Sequence, residues 1–301
     1  MKINSPILFC CYNRLDMIKK SLDIIRNIEC KKIYISIDGP KNDEIEKNIN
    51  QEIIKYITSI QFKSNTEFLI RKENLGCKIA ISSAIDWFFS NEESGIILEE
   101  DLLPTDTFFK FCDYALEKYE DKSSVMMISG TNYIGSGLVS NKYFFSEHFL
   151  IWGWATWKRA WKLYDVEMLN WQKDDVKKKI QNRYSEKEYK FLQNKFNSFL
   201  DDYSDTWDIQ WYFACINNSG LTVMPEANLV SNIGIEGTHS NKYYKTLFLK
   251  HGKIEIEKLK SPNTIKRNIE SDMKIHKKFH FENFLLKKIK AKIKKIFFKK
   301  L

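Results

Sequence analysis

Residues 95–109 have the sequence GIILEEDLLPTDTFF, and this stretch decides how the rest of the chain is interpreted. The apolar run that begins at Ile96 predicts a buried strand, and it ends in three adjacent carboxylates, Glu99, Glu100 and Asp101. Carboxylates this close repel one another unless a cation or hydrogen-bond donors share them. A hard divalent cation meets that need through oxygen ligands and can also hold a diphosphate. The alternative is that the three acids cap a helix opened by Pro104 and are otherwise solvated.

The composition indicates a globular chain whose positive charge is confined to one end. Of the 301 residues, 43% are hydrophobic and 14% aromatic, which predicts one large α/β domain or a domain with a helical annex. The formal charge is +9, but the segment 274–301 alone contains eleven lysines and a single acid, Glu282. Residues 1–273 are therefore close to neutral, and we predict no nucleic-acid partner.

Cysteine usage and the N-terminal sequence indicate a reduced, cytoplasmic protein. The six cysteines include no CxxC pair, which argues against a zinc site and against a disulfide framework. The N-terminus, MKINSPILFCCYNR, has an apolar run too short for a signal peptide or a membrane anchor. No stretch of the sequence approaches the length that spans a bilayer.

Strand and helix patterns alternate four times before residue 102. Apolar runs predict strands at 6–12, 33–37, 67–70 and 96–101, and residues at helical spacing lie between them. This order predicts βαβ units and a mostly parallel sheet with helices on both faces. Neither GxGxxG nor GxxxxGK[ST] occurs, so neither a dinucleotide fold nor a P-loop is supported.

Polar residues follow each of the four predicted strands. They are Asn13 and Arg14, then Asp38, then Arg71 and Asn74, and finally Glu100 and Asp101. Ligands of open α/β sheets bind beyond the carboxyl ends of the strands, so we expect these side chains to share one site. This convergence favours the ligand-binding interpretation of the three acids over helix capping.

Aromatic residues dominate the second half of the chain. Trp157 and Trp161 lie one helical turn apart and are predicted to be core. Trp152 and Trp154 flank Gly153, so each could either pack in the core or stack on a sugar face. Residues 165–206 predict charged helices that form a surface layer or a lid without chemistry of its own.

Two polar residues farther along have both ordinary and functional interpretations. Asp208 begins an apolar helix beside Trp207, where a first-turn acid needs no further explanation. His239 lies in the loop GIEGTHSNKYY, where it is either solvated or able to reach a metal or phosphate if the loop closes.

The C-terminal segment 281–301 predicts a basic amphipathic helix. Leu285, Ile289, Ile293, Ile296 and Phe297 share one face, and lysines cover most of the other. Such a helix is typical of a membrane-surface anchor attracted to anionic lipid. A partner-docking helix and a nonspecific nucleic-acid arm are alternatives, but the absence of arginine argues against the latter.

In their order, these motifs resemble a known family of enzymes. The stretches are PILFCCYNR, IYISIDGP, NLG, GIILEEDLLPTDTFFKF, WDIQWYF and VMPEANLVSNIGIEGTHSNKYY. Together they look like a GT-A fold glycosyltransferase, with an EDD variant of the DxD motif similar to that of the N-acetylglucosaminyltransferase I family. The resemblance covers about residues 5 to 245. It implies a GT-A domain at 1–245, with a donor-binding half up to about 130, followed by an extension at 246–280 and the basic helix.

The resemblance also implies a role for each matching residue. Arg14 and Asp38 would hold the nucleoside end of a UDP-sugar, Glu100 would contact the sugar or ribose, and Asp101 would bind Mn²⁺ or Mg²⁺. Asn74 and Glu99 complete the predicted donor site. His239 is a second candidate metal ligand, and with Trp154 and Trp207 it forms a predicted acceptor or lid region. Asp208 resembles the catalytic base, although the family has two consecutive acids where this chain has Asp208 followed by Ile209.

These expectations describe an inverting hexosyl- or N-acetylhexosaminyltransferase. The predicted donor is a UDP-sugar similar to UDP-GlcNAc, and the predicted acceptor is a glycan or lipid-linked sugar of bacterial surface polysaccharide. The enzyme would lie at the inner face of the membrane. A sugar nucleotidyltransferase and a non-catalytic membrane- or glycan-binding protein are the alternatives; the former usually has a glycine-rich loop where Cys11, Tyr12 and Asn13 stand here.

Overall fold

The first half of the chain folds as strands alternating with helices, as predicted. The computed structural model describes residues 1–132, 134, 142–202, 205–234, 252 and 254–278. Its first seven elements are β1 (Ile7–Cys11), α1 (Leu15–Ile25), β2 (Ile33–Ile37), α2 (Glu44–Ser59), β3 (Thr66–Ile70), α3 (Gly76–Asn91) and β4 (Ser94–Glu99). The four predicted strands and the helices between them are therefore confirmed.

The second half mixes short strands with longer helices. Its elements are β5 (Leu102–Pro104), α4 (Asp106–Lys118), β6 (Val125–Ser129), β7 (Tyr143–Ser146), β8 (Trp154–Trp157), α5 (Lys158–Trp161), α6 (Asp174–Gln181), α7 (Glu186–Asp202), α8 (Asp208–Asn217), β9 (Leu221–Pro225), β10 (Val230–Asn232) and α9 (Ile269–His276). The predicted basic helix at 281–301 lies outside the described residues, and the predicted domain boundaries stay predictions. Among the helices described, none is both long and apolar enough to cross a bilayer.

One large sheet organises the described part of the chain. Its strand order is β3-β2-β1-β4-β8-β6-β9-β7. β3, β2, β1 and β4 run parallel, and β8 runs antiparallel to β4 and β6 on either side of it. A separate antiparallel ribbon pairs β5 with β10. The predicted α/β architecture, a mostly parallel central sheet flanked by helices, is confirmed.

Side-chain alternation along the strands builds a core on each face of the sheet. In β1, Ile7 and Phe9 pack with residues of α1, α2 and α4, whereas Leu8 and Cys10 pack with residues of α3, α7 and α8. All four are nearly or fully buried. Because each face is covered, the only parts of β1, β2 and β4 left to meet a ligand are their ends.

The helix after the three acids begins later than predicted. Pro104 ends β5 and does not open a helix; α4 starts at Asp106. Thr105 is the N-cap, and its hydroxyl accepts a hydrogen bond from the Phe108 N–H at 3.2 Å. The capping interpretation of Glu99, Glu100 and Asp101 is therefore wrong, because β5 separates them from the helix.

Four tryptophans, Trp154, Trp161, Trp207 and Trp211, form a core cluster, whereas Trp152 is only half-buried and lines a cavity. Trp154 and Trp207 are only 1% and 2% exposed, and their rings stack at 5.5 Å with 21° between the planes. Trp161 and Trp211 pack against the same pair. The predicted acceptor or lid role of Trp154 and Trp207 is therefore not supported, because no ring face is open to an acceptor.

Candidate active site

The carboxyl ends of β1, β2 and β4 meet at one cavity of about 330 Å³, which we call the strand-end cavity. Its lining includes five of the six predicted donor-binding residues: Arg14, Asp38, Asn74, Glu99 and Glu100. The sixth, Asp101, does not line the cavity but contacts Arg14, which does. A volume of this size lies in the range of small-molecule sites. The structure thus brings the strand-end residues together; that they bind a donor stays a prediction.

Arg14 holds two of the three acids in place. Its Nε pairs with Glu100, and its Nη2 lies 3.1 Å from Asp101 Oδ2. The second oxygen of Glu100 accepts the backbone N–H of Tyr12 at 2.6 Å, at the end of β1. Both Glu100 oxygens are thus engaged within the protein, so Glu100 anchors the guanidinium and the strand end. In the structure Arg14 binds Glu100 and Asp101, whereas the resemblance implied that it contacts the nucleoside of the donor.

The segment after β10 covers Asp101 closely. The Asp101 carbonyl accepts the Ile233 N–H at 2.8 Å. A Cβ atom at Gly234 would lie 2.3 Å from Asp101 Oδ2 and 2.8 Å from Arg14 Nη1, so a larger residue there would displace the ion pair. The predicted loop containing His239 follows directly, but His239 itself lies outside the described residues.

Glu99 lies where burial and neighbouring carboxylates both disfavour its ionised form. Burial, followed by the negative charges of Asp101 and Asp208, raises the pKa of the Glu99 carboxyl to about 8, and Arg14 only partly opposes this. A cation bound at this end of β4 would favour the ionised form. The site therefore has the electrostatic character of a cation-binding site.

The residues of the site fit a hard divalent metal ion that is bound partly by protein carboxylates and partly by phosphates of a substrate. Oxygen donors suit Mg²⁺ and Mn²⁺, and Mg²⁺ usually takes one or two carboxylates together with substrate phosphates and water. Asp101 keeps 18% of its side chain exposed and would supply such a carboxylate, with Glu99 beside it. Within the described ranges, no group of three or more His, Cys, Asp or Glu side chains is arranged as a metal site by itself.

Asp38 and Asn74 form a second fixed pair in the strand-end cavity. Asn74 Nδ2 donates to Asp38 Oδ2 at 2.9 Å and to the Gly39 carbonyl at 3.0 Å. The Leu75 N–H also donates to Asp38, at 3.2 Å. This pair joins the end of β2 to the start of α3, and burial raises the pKa of the Asp38 carboxyl. It is rigid enough to orient the polar end of a ligand.

Asp205 is a cavity residue that sequence reasoning missed. Its carboxylate accepts the N–H groups of Cys77 at 2.9 Å and Lys78 at 2.8 Å, and so caps α3 from a segment 128 residues away. Gly76, at φ +75°, leaves room for it. Tyr12 and Lys41 also line the cavity and were not predicted. No local pattern marks such residues, because their partners are distant in sequence.

Asp208 lies between the strand-end cavity and a second one. It is the first residue of α8, and its carboxylate accepts the Thr206 hydroxyl. Its charge raises the pKa of Glu99 in the strand-end cavity. It also lines a cavity of about 170 Å³ that contains Lys195, which we call the Lys195 cavity. A base at this position could serve a reaction between ligands bound in the two cavities.

Comparisons with known proteins give only distant similarity. No family model and no curated protein matches the chain. Among solved structures, the mannosyltransferase PcManGT from Pyrobaculum calidifontis, in complex with GDP-Man and Mn²⁺, has 13% identity over 56% of this chain and 49% of its own, with a TM-score of 0.36. The chain thus spans about half the length of that structure.

Two further structures show the same level of similarity. The glycosyltransferase GlyE from Streptococcus pneumoniae TIGR4 has 15% identity over 61% of this chain and 40% of its own, with a TM-score of 0.31. A UDP-glucose pyrophosphorylase complexed with UDP-glucose has 12% identity over 54% and 79%, with a TM-score of 0.29. Similarity this low does not show an activity shared with any of them.

Proposed function

We propose that the chain is a metal-dependent, inverting glycosyltransferase that uses a nucleotide-diphosphate sugar. The observation that supports this most is the position of Asp208 between two cavities. One cavity carries excess negative charge at the ends of parallel strands, and the other has room for a second substrate. A donor in the strand-end cavity and an acceptor in the Lys195 cavity would meet at this carboxylate.

Each step of the proposed mechanism has candidate residues in the site. Asp38 and Asn74 would orient the nucleoside end of the donor, and Asp101, fixed by its contact with Arg14, would lie near the diphosphate. A divalent ion bound at Asp101 would neutralise charge on the departing diphosphate. Asp208 would take the proton from the acceptor hydroxyl as it attacks the opposite face of the sugar, which contributes roughly 10²- to 10⁴-fold.

Donor and acceptor identities are proposed from the family resemblance. The donor would be a UDP-sugar such as UDP-GlcNAc, so that a hexosyl or N-acetylhexosaminyl group is moved. The acceptor would be a glycan or lipid-linked sugar in bacterial surface polysaccharide synthesis. The lysine-rich segment after residue 280 would hold the enzyme at the anionic inner face of the membrane.

A sugar nucleotidyltransferase is disfavoured by one contact. Such an enzyme needs free backbone N–H groups after its first strand to bind a triphosphate. In this chain the Tyr12 N–H at that point already donates to Glu100 at 2.6 Å. The position that would bind phosphate is therefore occupied by a carboxylate of the protein.

Donor hydrolysis tests the proposal without knowledge of the acceptor. A panel of nucleotide sugars is incubated with the full chain and Mn²⁺ or Mg²⁺, and we expect slow release of the nucleoside diphosphate from one or a few donors, abolished by EDTA. Calorimetry with UDP should show heat that requires the metal. Pyrophosphate formation from a nucleoside triphosphate and a sugar phosphate would instead identify a nucleotidyltransferase, and no metal-dependent nucleotide binding would identify a non-catalytic protein.

A further inference from the structure

The Lys195 cavity combines an aromatic lining with two opposite charges. Trp152, Phe191 and Tyr212 line it together with Asp208 and Lys195. Aromatic side chains present flat, weakly polar surfaces that suit the face of a sugar ring. With about 170 Å³, the cavity has room for one monosaccharide unit.

Lys195 is a cation without a close carboxylate. Its Nζ lies 4.4 Å from the centre of the Tyr212 ring, and no carboxylate of the described residues approaches within salt-bridge distance. Burial lowers the pKa of the Lys195 ammonium, and only the charge of Asp208 opposes this. An ammonium in such a place is stabilised when a ligand supplies the missing negative charge.

His148 also lines the cavity but does not provide a second positive charge. His148 Nε2 lies 3.2 Å from the Asp272 carbonyl oxygen, and its Nδ1 lies 3.4 Å from the Tyr212 hydroxyl. Burial lowers the pKa of His148, so its ring is neutral near pH 7. Among the described lining residues, Lys195 is therefore the positive group available to a ligand.

Lys195 differs in this respect from the arginines nearby. Arg183 pairs with Glu147, and Arg267 pairs with Glu147, Glu188 and Asp272. These arginines are used to hold the protein together. Lys195 instead lines a cavity, where its ammonium could pair with an anionic group of a bound ligand.

We propose that the Lys195 cavity binds the acceptor, and that this acceptor is an anionic sugar whose carboxylate or phosphate pairs with Lys195 while a hydroxyl faces Asp208. The inference rests on the proposed function, because it takes Asp208 to be the base. The two charges then have separate tasks: Lys195 selects and positions the acceptor, and Asp208 removes its proton.

The test compares charged and neutral sugar probes on matched variants. Methyl glucuronide, glucose 6-phosphate and methyl glucoside are titrated into the full chain, and binding is followed by ligand NMR. A charge-assisted contact is worth roughly 1.5–3 kcal/mol, so we expect one anionic probe to bind at least about tenfold more tightly than methyl glucoside. The preferred probe shows whether a carboxylate or a phosphate is recognised.

Lys195→Gln should abolish that preference and Lys195→Arg should keep it. Lys190→Gln, at an exposed position on the same helix α7, should behave as wild type. Thermal unfolding checks that Lys195→Gln remains folded. Equal binding of all three probes to wild type, or a preference that persists in Lys195→Gln, would overturn the proposal. The protein could also show anion selectivity that depends on Lys195 and yet hydrolyse no nucleotide sugar. That result would refute the transferase function, and the cavity could then not be assigned to an acceptor.

Discussion

Two clusters in this protein place an arginine between carboxylates, but only one of them borders a large cavity. The Arg267 cluster joins β7, α7 and α9: Arg267 lies 2.7 Å from Asp272, 2.7 Å from Glu188 and 3.3 Å from Glu147. The Arg14 cluster lies at the ends of β1 and β4, where Arg14 contacts Glu100 and Asp101. The residue types are the same, so the difference must come from how completely the charges are matched.

In the Arg267 cluster the carboxylates are well matched. Asp272 is fully buried, yet it also accepts the Ser146 hydroxyl at 2.6 Å and the Glu147 N–H at 3.0 Å. Glu147 has a second partner in Arg183. The cavity beside the cluster is only about 20 Å³. These contacts hold α9 against the sheet, and the small cavity leaves little room for a ligand.

In the Arg14 cluster the matching is incomplete and faces open space. Among the described residues, no cation lies within salt-bridge distance of Glu99, which lines a cavity of about 330 Å³. Burial, and then the charges of Asp101 and Asp208, raise the pKa of its carboxyl to about 8. Perturbed carboxylates in a cavity are typical of functional sites. Both clusters contain ion pairs, so ion pairs alone do not mark a functional site. The Arg14 cluster differs because it includes Glu99, a carboxylate with a raised pKa that lines a large cavity.

Asp101→Asn provides the strongest test of this contrast. It removes the proposed metal ligand, so the rate of donor hydrolysis should fall by at least about a hundredfold, because metal stabilisation of the leaving group is worth several kcal/mol. Arg14 keeps Glu100 as a partner, so the free energy of unfolding should change by less than about 1 kcal/mol. Hydrolysis assays and urea unfolding measure the two effects. A variant with wild-type hydrolysis would show that Asp101 does not hold the metal.

Asp208→Asn should affect transfer without affecting donor binding. The amide cannot accept the acceptor proton, so kcat should fall roughly 10²- to 10⁴-fold. The affinity for UDP and Mn²⁺ should stay within about twofold, since Asp208 does not line the strand-end cavity. Calorimetry and transfer kinetics separate these quantities. Weakened UDP binding at an unchanged kcat would place Asp208 in the donor site and exclude it as the base.

Arg267→Met should give the opposite result to Asp101→Asn. It leaves the buried carboxylate of Asp272 without its cation, which costs about 3–5 kcal/mol of stability. The affinity of the remaining folded protein for UDP and Mn²⁺ should be unchanged, because the cluster does not line the strand-end cavity. Urea unfolding and calorimetry test this. If donor affinity falls as much as stability, the two clusters are not independent.

The parts of this picture that the sequence predicted are those fixed by local pattern. The apolar runs placed the ends of β1, β2 and β4, and parallel pairing then required Asp38, Asn74 and Glu100 to meet. The start of α4 was missed because β5 pairs with β10, a contact across more than a hundred residues.

The remaining site features depend on partners that are distant in sequence. Asp205 caps α3, and Lys195 lies over Tyr212, without any motif around either residue. Trp154 and Trp207 stack on each other although they lie far apart in the chain. A side chain in a stretch rich in tryptophan is equally compatible with core and ligand surface until its neighbours in space are known.

The smallest expected effect concerns His148, which adjoins both the Arg267 cluster and the Lys195 cavity. Burial lowers its pKa below the usual 6.5; the charge of Asp272 opposes this, while those of Arg267 and Lys195 add to it. The unfolded chain therefore binds the proton more readily, and stability falls as the pH drops through 6.5 toward the folded pKa. His148→Gln should lose less stability than wild type when urea unfolding is compared at about pH 8 and about pH 5.5.

Part of the acid sensitivity should remain in that variant. Burial also lowers the pKa of His276, and His148 contributes to this shift. His148→Gln combined with His276→Gln should therefore have a flatter pH dependence than either single variant, because both described histidines with a lowered pKa are then removed. Equal losses of stability in wild type and the double variant would show that the acid sensitivity arises in the carboxylates of the Arg267 cluster and not in its histidines.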